Sequence, residues 1–237
     1  MTWLGPFSYS VQNMRLPQAA FFIDADGWCR EAKRIPSPNC DSRPENTPVD
    51  LLVIHNISLP PGQFGGPFIV DLFTNRLDCD HHPFFDQLRS LHVSSHFLIR
   101  RDGQLIQFVS ADRRAWHAGL SSFSGKPRCN DFSIGIEVEG TDFEPFADSQ
   151  YDVLVTLTKA LCRRYPLSSV MGHEHIAPVR KTDPGPFFDW VRYRQALSDN
   201  DASAQSGCPD LLFPSDHPPA QTPDGECGAR ESIQAKG

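Results

Sequence analysis

The residues able to do chemistry fall in four short stretches. His55 closes the apolar run Leu51-Leu52-Val53-Ile54, and His173 stands in Met171-Gly172-His173-Glu174-His175. Lys181 and Asp183 stand two apart in a Pro-rich segment that runs on to Pro186, and Glu137 and Glu139 alternate in Ile134-Gly135-Ile136-Glu137-Val138-Glu139. An imidazole at the end of a buried strand is held rigidly at the sheet edge, where it is either a metal ligand or a core histidine with both nitrogens satisfied. If residues 181–183 are extended, Lys181 and Asp183 project to the same side. A cation and a carboxylate then enter one site, or else form a surface pair worth little. Gly135, Glu137 and Glu139 share one strand face and Ile134, Ile136 and Val138 the other, so the carboxylate face is wet, paired or catalytic.

These fragments fit one reaction. Catalytic zinc takes about three protein ligands and keeps one position for water, whose pKa it lowers toward about 7. A nearby carboxylate can accept the water's proton and return it to a leaving amine. A lysine can stabilise the charge that develops on the carbonyl oxygen. Together they would hydrolyse an unactivated amide. No HExxH helix ties the ligands together, and the chain has nine histidines, among which His81, His82 and His96 are further candidates.

The elements that must position these groups alternate between strand and helix. Leu51–His55 reads as a strand buried on both faces. His96–Val109 reads as a hairpin turning at Arg101-Asp102-Gly103, and Ser133–Glu139 as a third strand. Ser149–Tyr165 carries Leu154, Leu157 and Leu161 on one helical stripe, with Asp148 or Ser149 as cap and Pro166 as stop. Phe188–Leu197 is a shorter helix. Ser58–Leu91 is a long irregular stretch whose opening, LPPGQFGGPF, is six-tenths Pro and Gly, a composition suited to a lid or a substrate wall. The pattern implies an α/β (α+β) single domain, a sheet flanked by helices.

Composition narrows the function. The net charge of −7 over 237 residues argues against a nucleic-acid partner. No apolar run reaches the roughly 18 residues needed to cross a bilayer, and Met1–Ser10 lacks a secretory pattern, so no membrane partner and a cytoplasmic location are expected. Seven cysteines, odd in number and without CxxC spacing, read as free thiols. Residues 1–22 read as an N-terminal extension, 23–198 as the catalytic domain, and 199–237 as a disordered acidic tail, since its only apolar cluster is Leu211-Leu212-Phe213.

At this point the motifs become recognisable. RIPSPN (34–39), LLVIHNISLPPGQFGGPF (51–68), VSSHFLIRRDG (93–103), RRAWHAG (113–119), RCNDFSIGIEVEGTD (128–142) and GHEHIAPVRKTDPGPFFDW (172–190) resemble the AmpD-type 1,6-anhydro-N-acetylmuramyl-L-alanine amidases, a zinc family related to phage-lysozyme-type amidases and peptidoglycan recognition proteins. The resemblance implies a central mixed sheet with helices packed on it. It implies zinc on His55, His173 and Asp183, Glu137 as catalytic acid/base and Lys181 as transition-state stabiliser. The substrate it implies is a small muropeptide, cut between the lactyl group of the muramic sugar and L-alanine during cell-wall recycling, a step that also limits muropeptides that induce β-lactamase. Asn56, Trp116, His117 and Arg128 are expected substrate contacts, and a monomer is expected. His92 stands where the family pattern has Arg, and the Glu174-His175 pair also departs, leaving His175 as a competing ligand or a neighbour of the site. The alternative is a muropeptide receptor of the same fold without catalysis; the complete set of ligands, Glu137 and Lys181 favours the enzyme.

Overall fold

The apolar runs become the centre of one sheet. The computed structural model describes residues 20–198 and 210–217. The described strands are β1 (Lys33–Arg34), β2 (Cys40–Asp41), β3 (Leu51–Ile57), β4 (Phe97–Ile99), β5 (Leu105–Gln107), β6 (Arg114–Ala115), β7 (Ser122–Phe123), β8 (Lys126–Pro127), β9 (Ser133–Glu139) and β10 (Ser169–Gly172). The helices are α1 (Phe68–Phe73), α2 (Asp148–Cys162), α3 (His173–Ile176) and α4 (Trp190–Ser198). Six strands form a mixed sheet in the order β1-β5-β4-β9-β3-β10. Only the β4–β5 hairpin is antiparallel within it; β4, β9, β3 and β10 run parallel.

Register decides which side chains meet. β3 and β9 pair Ile54 with Ile136 and His55 with Glu137. β3 continues two residues beyond the expected end at His55, because β9 offers a ladder partner through Glu139. One face of the sheet carries Leu52, Ile54, Ile134, Ile136 and Val170 into a core with Leu154, Leu157 and Leu161 of α2. The other carries Leu51, Val53 and Met171 into a smaller cluster with Ala118 and Phe132, and His55 and Glu137 lie on that face, two positions further along. In a sheet of this kind the crevice for a ligand opens at the carboxyl ends of the parallel strands.

Three expectations are corrected. The stretch after Ser58 is not irregular throughout: α1 and a 3-10 helix at Pro83–Leu88 bury Ile69, Leu72, Phe73, Phe85 and Leu88. Pro and Gly hid them, because α1 begins just after Pro67 and the 3-10 helix begins at Pro83 itself. The start of α2 is capped neither by Asp148 nor by Ser149. Gln150 Oε1 accepts the Ala147 N–H at 2.9 Å, while Ser149 Oγ donates to Arg101 O and Asp148 pairs with Arg192.

Third, the tail is not without structure over Asp210–His217. Leu211 and Phe213 are buried in the main core, with the Phe213 ring against Trp190 and Tyr193. Between them, Leu212 pairs with the backbone of β10. Two large apolar side chains and a strip of ladder offset the ordering entropy that composition alone suggested would prevail. The rest of the tail and residues 1–19 lie outside the described residues.

Among the described residues no helix is long and apolar enough to cross a membrane, and Cys29, Cys40, Cys79, Cys129 and Cys162 are free thiols.

Candidate active site

His55 comes from β3, His173 opens α3 directly after β10, and Asp183 comes from the following loop. His55 Nδ1, His173 Nδ1 and Asp183 Oδ2 lie 3.0, 3.0 and 3.1 Å from one another. All three residues are buried. Three buried ligand atoms this close together, two imidazole nitrogens and a carboxylate oxygen, make a group that could hold a metal ion. His175 is not part of it: its Nδ1 accepts the Gly172 N–H at 3.1 Å, and its ring packs on Trp190.

The electrostatics suit ligation. Burial, with His173 alongside, lowers the His55 imidazole to about 4, so it is neutral near pH 7 and offers a lone pair. Burial pushes the Asp183 carboxyl up, but the adjacent imidazoles, His173 and then His55, outweigh it and hold the carboxyl below the usual range. His173 Nε2 faces Ala118 O at 3.2 Å. A carbonyl only accepts, so Nε2 is the donor there, and Nδ1 is the nitrogen that faces His55 and Asp183.

Glu137 stands beside His55 in register. It is buried, and its Oε2 has no hydrogen-bond partner. Burial, and then the charge of Asp183, raise its carboxyl well above the usual range, with Lys181 opposing them. An orphaned carboxyl oxygen of this kind needs an explanation, and a catalytic proton carrier is one. Lys181 is half-buried, and burial lowers its ammonium against the pull of Asp183. Glu137, Lys181, His173 and Asp183 all line one cavity of about 470 Å³, whose far wall is apolar: Leu72, Phe73, Phe84, Leu88 and Leu91. The stretch read as a lid or a substrate wall supplies these apolar residues, most of them from α1 and the 3-10 helix.

A family model described as N-acetylmuramoyl-L-alanine amidase matches residues 45–186. The chain is 57% identical over 175 residues to the 1,6-anhydro-N-acetylmuramyl-L-alanine amidase AmpD of Citrobacter freundii, covering 73% of this chain and 94% of that protein. It is 55% identical over 174 residues to the AmpD of Escherichia coli K12, covering 73% and 95%. The chain belongs to the N-acetylmuramoyl-L-alanine amidase family. A crystal structure of a selenomethionine AmpD derivative superposes with a TM-score of 0.71 at 56% identity, over 72% of this chain and 97% of that one, so the amidase fold is shared as well.

Within this amidase the four expected substrate contacts separate. Trp116 lines the cavity. Asn56 lines it too, but its Nδ2 donates to Asp142 Oδ1 at 2.7 Å and to Pro184 O at 3.0 Å, so its amide holds the loop that carries Asp183. His117 lines the cavity as well; it is buried, with its Nδ1 2.9 Å from His55 Nε2. Arg128 is not among the residues lining the cavity; it is exposed and pairs with Asp131 at 3.2 Å. Of the other histidines, His92 lines the cavity rim. His96 is fully buried, accepting the Gly135 N–H on Nδ1 and facing Arg113 O with Nε2.

Several supporting residues escaped sequence reasoning. Asp142 takes Asn56 on one oxygen and the Thr182 hydroxyl on the other at 2.6 Å. Gly185 has φ of +81°, and a Cβ there would come 2.5 Å from Asp142 Oδ1, which is why the loop turns on glycine. Asn130 Oδ1 accepts the backbone N–H groups of His117 and Ala118, and Arg180 donates to Ala118 O and Leu120 O. The GTD and KTDPG motifs contain Asp142, Thr182 and Gly185, and that these pair across the site is the signal that was available.

Proposed function

We propose that this amidase hydrolyses the amide between the lactyl group of (1,6-anhydro)-N-acetylmuramic acid and L-alanine in small cytoplasmic muropeptides. In doing so it serves cell-wall recycling and limits muropeptides that induce β-lactamase. The observation that carries the reading is the orphaned Glu137 oxygen beside a buried His₂Asp triangle, with Lys181 in the same cavity. Support for the substrate comes from the names of the AmpD relatives.

His55, His173 and Asp183 would hold zinc, since two imidazole nitrogens and one carboxylate suit its borderline character. Bound there, zinc supplies Lewis acidity toward the amide carbonyl and acidifies a water. Glu137 Oε2 takes the proton of the attacking water and delivers it to the alanine nitrogen as the C–N bond breaks. Lys181 Nζ balances the negative charge that grows on the carbonyl oxygen. The apolar wall with Trp116 packs the sugar and excludes bulk water. Residues 23–198 form the catalytic unit.

The test is cleavage of anhydro-muramyl-tripeptide by the purified chain, before and after chelation and again after zinc is restored. Release of free tripeptide, lost on chelation and regained with zinc, is expected. Intact substrate with zinc demonstrably bound would overturn the assignment.

A further inference from the structure

We propose that His117 and Ser133 are positioning residues that set the tautomer of His55, so that its Nδ1 presents a lone pair to the metal; this rests on the metal reading above. The Cys129 carbonyl only accepts hydrogen bonds, and Ser133 Oγ lies 2.6 Å from it, so the serine hydroxyl proton points there. Ser133 Oγ then has only lone pairs for its other neighbour, His117 Nε2 at 3.2 Å. His117 Nε2 must therefore be the donor.

A neutral imidazole carries one N–H, so His117 Nδ1 is bare. That ring is buried against the rings of His55 and His96, where a second proton would be an uncompensated buried charge. Its bare Nδ1 sits 2.9 Å from His55 Nε2 and accepts from it. His55 Nδ1 is left bare, directed at His173 Nδ1 and Asp183 Oδ2. The reverse polarity would place a proton on His55 Nδ1, among the ligand atoms. His173 meets a carbonyl directly, Nε2 facing Ala118 O; His55, on the sheet, needs two relays to reach one.

β9 is built for this. Ser133, Gly135 and Glu137 occupy every second position and so one face. Ser133 sets the polarity. Gly135 leaves room for the ring, since a Cβ there would lie 2.5 Å from His117 Cγ and Nδ1. Glu137 carries the proton. Ser133 and His55 are buried, at 0% and 2% exposure, and His117 nearly so at 9%, so the chain of donors runs beneath the site. The Asn130 side chain fixes the backbone that presents His117.

The test uses the full chain, stripped of metal and titrated with zinc against a chromophoric chelator, with Ser133→Ala, His117→Phe and His117→Gln compared. Neighbours that orient a ligating histidine are worth about 10–100-fold in metal affinity, so Ser133→Ala and His117→Phe should weaken zinc binding by at least about tenfold. His117→Gln should stay within about threefold of the parent, because its Oε1 can accept from His55 and its amide can donate to Ser133. Nitrogen-15 spectra of histidine-labelled parent protein should place the protons on Nε2 of both His55 and His117. Unchanged zinc affinity in folded Ser133→Ala and His117→Phe, or a proton on His117 Nδ1, would overturn the proposal. Should a variant not fold, the parent spectra still decide. A parent protein that binds no zinc would instead overturn the metal reading, and its spectra would still report the His117 tautomer.

Discussion

Replacing Glu137 by Gln separates what the residue does in catalysis from what it does to the fold. The two side chains are nearly isosteric, so the cavity and the β3–β9 ladder should survive. Loss of a positioned proton carrier costs about 10²–10⁴ in rate, or roughly 2.7–5.5 kcal/mol of barrier. The stability effect should have the opposite sign. Glu137 is buried with one oxygen unpartnered, and its folded-state pKa is raised well above 4.5. The folded chain therefore binds more protons than the unfolded one above that pH, and the group destabilises the fold increasingly as pH rises through and beyond 4.5. Glu137→Gln removes that dependence. In metal-free protein the variant should be more stable than the parent at pH 8, by about 1–3 kcal/mol, and the gap should close near pH 4. The assays are tripeptide release by chromatography with zinc present, and urea unfolding of chelated protein at both pH values. A variant that cleaves within about threefold of the parent would refute the catalytic role. A stability gap that does not change with pH would refute the argument from buried charge.

Other outcomes follow from the same geometry. Asp183→Ala leaves two imidazoles, and zinc titration should show loss of tight binding together with loss of activity; Lys181→Ala should keep the metal and lose rate, read as a fall in kcat. Phe213→Ala should cost about 3–5 kcal/mol and lower Tm by roughly 6 °C or more, measured by thermal melting. Truncation after Ser198, which removes the buried Leu211 and Phe213, should also lower it. His96 is held neutral by burial and by Arg43, at about 3. Its folded pKa lies below its unfolded 6.5, so its contribution is intact above pH 6.5 and is lost progressively as pH falls toward 3. Metal-free parent protein should lose several kcal/mol over that window, and His96→Gln should flatten the slope.

How much of this was legible in the sequence depended on whether a residue's role is local. The strand at Leu51 and the helix bearing Leu154, Leu157 and Leu161 are written in short-range apolar patterns, and both formed. The Lys181–Asp183 spacing correctly brought two side chains to one cavity. The two glutamates of β9 could not be told apart locally: Glu139 is paired with Arg100 at 2.6 Å, while Glu137 is left open, and only the neighbouring strands decide that. His117 was read as a substrate contact, and nothing nearby in sequence shows that it also slots over Gly135. The ordered piece of the tail was missed because its partners, β10 and α4, lie elsewhere in the chain, and its polar flanks dominated its composition.

The Leu212 pairing also bears on how this protein behaves in a crowded solution. An open sheet with bare edge strands invites another chain to add to it. Here one edge is β1, two residues long and made of Lys33 and Arg34, a short charged end that disfavours growth. At the other, Leu212 O accepts from Val170 N at 2.8 Å and Leu212 N donates to Ser168 O at 2.9 Å, so the backbone of β10 is already occupied. A version trimmed at Ser198 would uncover that ladder and the apolar seat of Leu211 and Phe213 together. Its first failure at high concentration should be edge-to-edge self-association, visible by light scattering before any loss of secondary structure.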